Sequence, residues 1–403
     1  FPSQHGFLPG RSCTTNLLEY LNKVTRSLDK GEAYDIIMLD YRRAFDKVPF
    51  RHMIAKLRSH GIDGDLLRWI VDWTTNRQQR VVLNGTHSGW TEVTSSVVQG
   101  SVLGPIFFAI FINDLDVSIN SIHGIFLSKF ADDTKLGREI STMQDCHRLQ
   151  AALDDLVAWS KEWGMELHAQ KSIVVHFGRK NPEFIYKIDN VPLQTTEAAR
   201  DLGVKVQNDC DSSPHICEIT KKAHGLLSQL KRAFSYRDSK VLPRIFTTFI
   251  RPTLEYAVQV WNPSKIGDVQ ALEKVQRRAL RLVTDQGHMP YETKLQALGL
   301  PTLEARRRRG DLLEVFKILN GFSFLKVDDF FSHVQDRHEL ETRSYTNDHL
   351  VMEKCTLNVR KNFFSCRVTN DWNSLPKHVR ESCTINEFKN NYDEFMNDTI
   401  VND

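Results

Sequence analysis

The sequence predicts an α+β fold, and two patterns along the chain support that prediction. Short apolar runs separated by turn residues alternate with amphipathic helical spacings over the first 210 positions, whereas the pattern is almost wholly helical from Ile216 onwards. The length of 403 residues allows two or three domains, and an apolar fraction of 41% can fill a packed core. These values exclude a disordered chain, a collagen-like repeat and a small disulfide scaffold.

The first predicted strand is the apolar run Tyr34–Leu39, which delivers Asp40 at its carboxyl end. Two amphipathic helices are predicted next, over residues 49–61 and 65–75. Asn84-Gly85 then lies between two short runs with strand character. This dipeptide favours a hairpin because both of its residues accept positive φ.

A second hairpin is predicted over residues 124–137, where apolar runs flank Asp132 and Asp133. If the strand ending at Asp40 lies beside this hairpin, the three carboxylates converge into a site for Mg²⁺, which prefers oxygen ligands. Two such ions about 3.5–4 Å apart would activate a 3′-hydroxyl and stabilise a leaving pyrophosphate, as a nucleotidyl transferase requires. The alternative is that the Asp pair forms only a solvated turn.

Regular structure is predicted to continue beyond this hairpin, and it becomes helical. The predicted elements are a helix at 143–163, strands at 173–177, 184–188 and 202–206, and helices near 215–234, 240–260 and 269–284.

Basic residues are concentrated in the helical part of the chain. Between Lys221 and Gly310 there are 18 Lys and Arg against 7 Asp and Glu, a balance of +11, although the net charge of the whole chain is only +3. Such a basic segment predicts a polyanionic partner. For the run Arg306–Arg309, a nuclear import signal is an alternative.

Six motifs occur in an order that carries a family resemblance. They are GFLPGRS (6–12), LDYRRAFDKV (39–48), QGSVLGP (99–105), FADD (130–133), LHAQKS (167–172) and RDLGV (200–204). The chain resembles the reverse transcriptases of non-LTR (LINE-type) retrotransposons, particularly the jockey-like and chicken-repeat-like groups. The resemblance implies a right-hand polymerase, with an α+β palm of antiparallel sheet and packed helices followed by a mostly α-helical thumb.

The same resemblance implies a division of the chain and an activity. The expected segments are a remnant of the fingers and pre-palm region (1–30), the palm (31–180), primer-grip strands (181–210), a helical thumb (211–290) and a C-terminal region without an assigned role (291–403). The expected activity is RNA-directed DNA synthesis, adding dNMP to a DNA 3′-end during target-primed reverse transcription. Expected partners are an RNA template, a DNA primer, target DNA and dNTPs.

The family's site residues carry over to named positions. Asp40 and Asp132 would be the principal metal ligands, with Asp133 in support, for two Mg²⁺ ions or for Mn²⁺. Phe45 would lie beneath the incoming sugar and exclude a ribose 2′-hydroxyl, whereas without the motif it would be an ordinary core phenylalanine. The expected dNTP and template contacts are Tyr41, Ala44, Phe45, Gln99 and Gly100.

Positive side chains complete the expected site. Lys171 would reach the departing pyrophosphate as a general acid or fixed charge, the alternative being a solvated surface lysine. RDLGV would be a hairpin that grips the primer. The thumb would hold an RNA–DNA duplex through its phosphates with Lys221, Lys222, Lys231, Arg232, Arg277, Arg278 and Arg281.

Four positions depart from the family pattern, namely Leu8, Asp116, His168 and Ser172, where Arg, Pro, Asn and Thr are usual. None of them removes a metal ligand. Cys355, Cys366, His378 and Cys383 are spaced too widely for a compact zinc knuckle, so we expect buried or free thiols there.

The seven cysteines are scattered and form no CxxC pair, which favours an intracellular setting, with nucleus and cytoplasm expected for such an element. No apolar run approaches the roughly 18–20 residues that span a membrane. Because the chain begins at Phe1, we interpret it as a fragment that lacks the fingers and any endonuclease. A non-catalytic nucleic-acid-binding relic and a polymerase that copies RNA into RNA are the alternative functions.

Overall fold

The structure is a computed structural model that describes residues 3–119, 124–283, 289–333 and 349–402. The chain forms two compact units. The first comprises Phe1–Asn16 and Gly31–Ala199, and the second comprises Leu17–Lys30 and Arg200–Asp403. None of the helices in the described ranges is both long and apolar enough to cross a membrane.

The first unit contains both strands and helices, which confirms the α+β prediction. Its elements are the start of α1 (Cys13–Asp29), β1 (Ala33–Leu39), α2 (Ala44–Lys47), α3 (Phe50–Ser59), α4 (Gly64–Thr74), β2 (Gln78–Gln79), β3 (Val82–Leu83), β4 (Thr86–His87), β5 (Thr91–Glu92), α5 (Leu103–Phe111), α6 (Leu115–Ile119), β6 (Phe126–Phe130), β7 (Asp133–Ile140), α7 (Met143–Glu162), β8 (Ile173–Phe177), β9 (Lys187–Ile188), β10 (Val191–Pro192) and β11 (Gln194–Thr195).

A five-stranded sheet in the order β11-β8-β1-β7-β6 forms the centre of the first unit. The apolar strand β1 lies in the middle and pairs antiparallel with β7 and with β8. Strand β11 runs parallel to β8. Residues 187–195 therefore belong with the first unit, although the sequence divided the chain at residue 180, because β11 extends the same sheet.

The core of the first unit lies between one face of this sheet and three helices. Ile37 stands opposite both Leu136 and Val174 in the register, so these three side chains share a face. They belong to one buried cluster with apolar residues of α3, α5 and α7, including Phe108 and Leu153. This packing fixes the sheet against the helices that follow β1 and the second hairpin.

Both predicted hairpins are present. The first has Asn84 and Gly85 at φ 48° and 81° in its turn, with paired strands of two residues on each side. The second is formed by β6 and β7. The strand predicted at 184–188 is shorter than expected and is limited to Lys187–Ile188.

The second unit is mostly helical. It contains the remainder of α1, a hairpin of β12 (Ala198–Asp201) and β13 (Val204–Gln207), and α8 (Ser213–Ala233), α9 (Leu242–Ile245), a π-helix (Phe246–Ile250), α10 (Arg251–Glu255), α11 (Val258–Trp261), α12 (Ile266–Leu280), α13 (Tyr291–Ala297), α14 (Leu303–Leu319), α15 (Val327–Phe330), α16 (Asn358–Lys361), α17 (Phe364–Arg367), α18 (Thr369–Asn373), α19 (Lys377–Arg380) and α20 (Ile385–Asn402).

The segment 240–260 is helical over most of its length, as predicted, but it is not one regular α-helix. The segment is divided into α9, the π-helix, α10 and α11. Pro252 lacks the backbone N–H that a regular α-helix would need there, and it lies in the first turn of α10, just after the π-helix, while Ala257 adopts a left-handed conformation with φ 52° that ends the helical run. The predicted end of the next helix, Thr284, lies outside the described residues.

The arginine run on α14 is committed to contacts within the second unit. Arg306 pairs with Glu255, and Arg307 donates to Asn262 Oδ1 at 3.1 Å. Arg308 and Arg309 form ion pairs with Asp371 and Asp393, with N–O distances of 2.8 and 2.6 Å. All four arginines therefore have structural partners within the second unit, which the alternative of a nuclear import signal did not predict.

Candidate active site

Asp132 occupies the turn of the second hairpin. Phe130 pairs with Asp133 across the ladder, so Ala131 and Asp132 form a two-residue turn. Ala131 has φ 55°, the left-handed region that residues with a Cβ rarely adopt. The Thr134 hydroxyl donates to the Asp132 carbonyl oxygen at 3.1 Å. The turn thus presents a half-buried carboxylate on a short loop that this hydrogen bond stabilises.

Asp40 follows β1 directly, and the preceding residue Leu39 stands opposite Thr134. Its backbone is held by the loop that contains the LHAQKS motif. The Asp40 N–H donates to Ser172 Oγ at 3.2 Å, and its carbonyl accepts from the His168 N–H at 2.8 Å. Two of the departures from the family pattern therefore support Asp40, and Ser172 retains the hydroxyl that Thr would supply.

Asp40 lies close enough to Asp132 for its charge to act on the Asp132 carboxyl. Burial raises the pKa of Asp132, and the negative charge of Asp40 raises it further. Burial also raises the pKa of Tyr41, and the Asp132 carboxylate adds to that effect. The Asp40 charge therefore makes Asp132 harder to ionise, and a divalent cation between the two carboxylates would relieve the repulsion.

The donor set fits a hard cation, because both side chains offer carboxylate oxygens. Asp133, which the sequence placed with them, is exposed at the start of β7. The described residues contain no group of three or more His, Cys, Asp or Glu side chains arranged to hold a metal ion. The structure thus brings Asp40 and Asp132 together and leaves Asp133 beside them.

Tyr41 and Ala44 contribute to the core as well as to this site. Their side chains are 5% and 3% exposed, and the Tyr41 hydroxyl lies 3.3 Å from Ser160 Oγ. A nucleotide could therefore meet their backbone rather than their side chains.

Phe45 is held rigidly between other rings. It is half-buried and stacks on the buried Phe108 at a centroid distance of 4.3 Å and an interplanar angle of 14°. Phe7 meets it edge-on at 6.5 Å. Because stacking partners restrict both χ angles, the ring can act as a fixed steric barrier.

Gln99 and Gly100 lie in an exposed loop before α5. Gln99 Nε2 donates to Asp46 Oδ1 at 2.6 Å, which connects this loop to α2. Gly100 has φ 79°, and a Cβ there would meet no atom within 4 Å, so its backbone is open to a ligand. Lys171 is also exposed.

A buried polar network supports the second hairpin, and sequence reasoning missed it. Lys129 on β6 is fully buried and forms an ion pair with Asp116. Ser3 donates to both Asp116 carboxylate oxygens at 2.7 Å. On the paired strand, Lys135 donates to Asn16 Oδ1. The only sequence signal was the placement of lysines inside two apolar strands and the unusual Asp116.

The basic residues that the sequence assigned to the thumb lie on α8 and α12, except Arg281, which directly follows the end of α12. The seven residues chosen from the sequence are exposed. Arg278 donates to Ser228 Oγ at 3.0 Å, which places the two helices side by side. Helical spacing then aligns Lys221 and Arg232 of α8 with Lys274 and Arg281. Sequence reasoning missed Lys274, although its spacing from Arg278 and Arg281 gave a signal.

The RDLGV motif forms the β12–β13 hairpin, as expected. Its tip has Leu202 at φ 42° and Gly203 at φ 86°. The Tyr256 hydroxyl donates to the Leu202 carbonyl oxygen at 2.8 Å, and a Cβ on Gly203 would lie 3.2 Å from the Tyr256 ring. Glycine is therefore required at this tip both for its φ and for the ring that packs over it.

A largely antiparallel sheet, with one aspartate directly after its central strand and another in the adjacent hairpin turn, is the arrangement expected of the palm of a nucleotidyl-transferring polymerase. The family model described as reverse transcriptase (RNA-dependent DNA polymerase) matches residues 1–206. The chain therefore belongs to the reverse transcriptase family.

Curated relatives come from non-LTR elements of insects. The chain is 24% identical over 325 residues to the probable RNA-directed DNA polymerase from transposon BS of Drosophila melanogaster, covering 76% of this chain and 35% of that protein. It is 25% identical to the RNA-directed DNA polymerase from mobile element jockey of Drosophila funebris, covering 70% and 32%. It is 26% identical to the Pol polyprotein of the type-1 retrotransposable element R2 of Popillia japonica, covering 73% and 48%. The chain thus spans between a third and a half of these relatives.

Among solved structures, apo telomerase from Candida tropicalis covers 73% of this chain and 48% of its own, with a TM-score of 0.42 and 10% identity. A TM-score this low does not establish a common fold.

Proposed function

We propose that this chain is the polymerase part of a non-LTR retrotransposon protein and copies RNA into DNA. The observation that carries the proposal is that Asp40, directly after β1, lies near Asp132, in the adjacent hairpin turn. The proposed reaction adds dNMP to a DNA 3′-end during target-primed reverse transcription. Its substrates are an RNA template, a DNA primer at the target and dNTPs.

Asp40 and Asp132 would hold two Mg²⁺ ions, or Mn²⁺, with Asp133 in a supporting role. When bound, these ions lower the pKa of the primer 3′-hydroxyl and neutralise the leaving pyrophosphate. Ser172 and His168 hold the Asp40 backbone in place for this task. Lys171 would supply a proton or a positive charge to the pyrophosphate, and the backbones of Gln99 and Gly100 would contact dNTP and template.

The remaining segments take supporting roles in this proposal. Residues 31–195 form the palm, since β11 completes its sheet, and the residues preceding them belong to the fingers and pre-palm region. The hairpin at 198–207 grips the primer, and α8 to α12 act as the thumb. The C-terminal region after residue 290 contributes to the fold of the second unit through the ion pairs of α14.

A primer-extension assay tests the function. We expect the chain to extend a DNA primer on an RNA template with dNTPs in the presence of Mg²⁺, and chelation of the metal should stop synthesis. Salt-sensitive binding of the duplex without any extension would instead support the alternative of a nucleic-acid-binding relic.

Substitution of Phe45 tests the sugar gate. Phe45→Val should raise the efficiency of ribonucleotide incorporation relative to dNTP incorporation by about 100-fold, because removing the ring leaves room for the 2′-hydroxyl. The measurement is kcat/KM for each nucleotide on the same primer and template. Phe107→Val is the matched control, since Phe107 lies on the same core helix as Phe108 but contacts Trp73 edge-on. Unchanged selectivity in Phe45→Val would refute the gate, and ribonucleotide preference in the unaltered chain would favour RNA-into-RNA copying.

The basic face of the thumb should respond to charge removal. The double variant Arg278→Gln/Arg281→Gln should weaken RNA–DNA binding and make the slope of log K against log salt shallower by about 1.8, because two phosphate contacts are lost. Fluorescence anisotropy over a salt series measures both effects. Lys265→Gln serves as the control because Lys265 is already paired with Asp211 at 2.7 Å. An equal change in both variants would contradict the assignment of this face.

A further inference from the structure

The segment around Gln4 runs along the edge strand of the catalytic hairpin. The Lys129 N–H donates to the Ser3 carbonyl at 2.7 Å, and the His5 N–H donates to the Lys129 carbonyl at 2.7 Å. Gln4 and Lys129 thus form a parallel bridge beside β6. This segment ends next to the turn that carries Asp132.

The Gln4 side chain reaches from that segment onto the turn itself. It is 2% exposed. Its Oε1 accepts from the Ala131 N–H at 2.9 Å and from the Gly6 N–H at 2.7 Å. Its Nε2 donates to the Ala131 carbonyl at 3.4 Å. One amide therefore satisfies both backbone groups of the residue that precedes Asp132.

Ala131 needs such support because of its conformation. A left-handed φ is unfavourable for a residue with a Cβ, so the turn has to be held by its surroundings. Gly6 packs against the same place, and a Cβ on Gly6 would lie 2.7 Å from Ala131 N. The glycine lets the segment approach closely enough for the Gln4 amide to bind both groups.

We propose that Gln4 is a positioning residue for Asp132. By holding Ala131 in its left-handed conformation, Gln4 sets the place of the Asp132 carboxylate relative to Asp40. Gln4 contacts no reacting atom in this arrangement and acts only through the turn. The inference rests on the proposed function, since it assigns Gln4 a role in metal-dependent synthesis.

Gln4→Met tests the proposal, because it preserves the length of the side chain and removes all three hydrogen bonds. We expect kcat for dNTP incorporation to fall about 10- to 100-fold, as for the loss of other groups that orient a metal ligand. KM for dNTP should stay within about twofold, and the Mg²⁺ concentration for half-maximal rate should rise. A merely structural role would lower the melting temperature without this split between kcat and KM.

The chain offers a matched control in Gln150, on α7. Its amide also binds both backbone groups of one residue, accepting from the Lys187 N–H and donating to the Lys187 carbonyl, each at 2.9 Å. Gln150→Met should therefore leave kcat and the Mg²⁺ dependence unchanged. Equal kinetics of the two variants, or wild-type kinetics of a folded Gln4→Met, would overturn the proposal.

Two further measurements separate the effect of Gln4 on the Ala131 turn from the polymerase activity. Hydrogen exchange of the Ala131 amide should be faster in Gln4→Met than in the unaltered chain, and this comparison does not depend on synthesis. Failure of the unaltered chain to extend a primer would overturn the proposed function. Unchanged exchange at Ala131 would overturn the proposal that Gln4 holds this turn. Should Gln4→Met fail to fold, Gly6→Ala displaces the same turn, and wild-type kcat and Mg²⁺ dependence in that variant would also refute the proposal.

Discussion

Asp132→Asn is expected to lower the rate of primer extension by at least about a thousandfold while leaving RNA–DNA binding within about twofold. The substitution keeps the shape of the side chain but removes the negative charge that would bind a metal ion together with Asp40 in a half-buried site. A thousandfold loss corresponds to about 4 kcal/mol of transition-state stabilisation, which is within the contribution of a catalytic metal site. Single-turnover extension and anisotropy measure the two quantities separately.

Asp133→Asn is the control for this experiment. It makes the same chemical change one residue further along, at an exposed position, and should cost much less than Asp132→Asn. If both variants lost activity equally, the distinction that the structure makes between the two aspartates would be wrong. If Asp132→Asn kept most of its activity, the catalytic assignment would fail.

Lys129→Met is expected to reduce the free energy of unfolding by about 3–5 kcal/mol, because it leaves Asp116 buried without its cationic partner. The double variant Lys129→Met/Asp116→Leu should recover most of this loss, since neither charge then remains buried. Urea denaturation of the three proteins measures the difference.

The matched control is Lys161→Met, which removes the partner of Asp189 in an ion pair whose side chains are 62% and 54% exposed. Such a surface pair contributes about 0–1 kcal/mol. A loss in Lys129→Met no larger than this control would show that the Asp116 pair does not stabilise the hairpin. A double variant as unstable as Lys129→Met would contradict the desolvation argument.

Local sequence patterns were sufficient for four strands of the central sheet, namely β1, β6, β7 and β8. The run Tyr34–Leu39 is apolar except for Asp35 because β1 is covered on both faces and paired on both edges, and the structure extends it by one residue. Asn84-Gly85 marked its hairpin through the φ values that it tolerates. The segment 240–260 is helical as predicted, but apolar spacing alone did not reveal the π-helix before Pro252 or the break at the left-handed Ala257.

The site was predictable only where a residue's own neighbours in sequence revealed it. Asp40 at a strand end and Asp132 in a turn are local signals, and the family motifs reinforced them. Gln4 lies 127 residues from Ala131, and Ser3 lies 113 residues from Asp116, so their partners could not be identified from one sequence. The roles of Asp116, His168 and Ser172 likewise depend on contacts made after folding.

We propose that Asp40 and Asp132 bind divalent cations jointly. A crystal of the chain with RNA template, chain-terminated DNA primer, dNTP and Mn²⁺ would test it through the anomalous signal of manganese. We expect anomalous peaks within coordination distance of both carboxylates, and their loss in crystals of Asp132→Asn. Manganese bound to only one of the two aspartates, or bound elsewhere while both carboxylates remain unliganded, would contradict joint metal binding by Asp40 and Asp132.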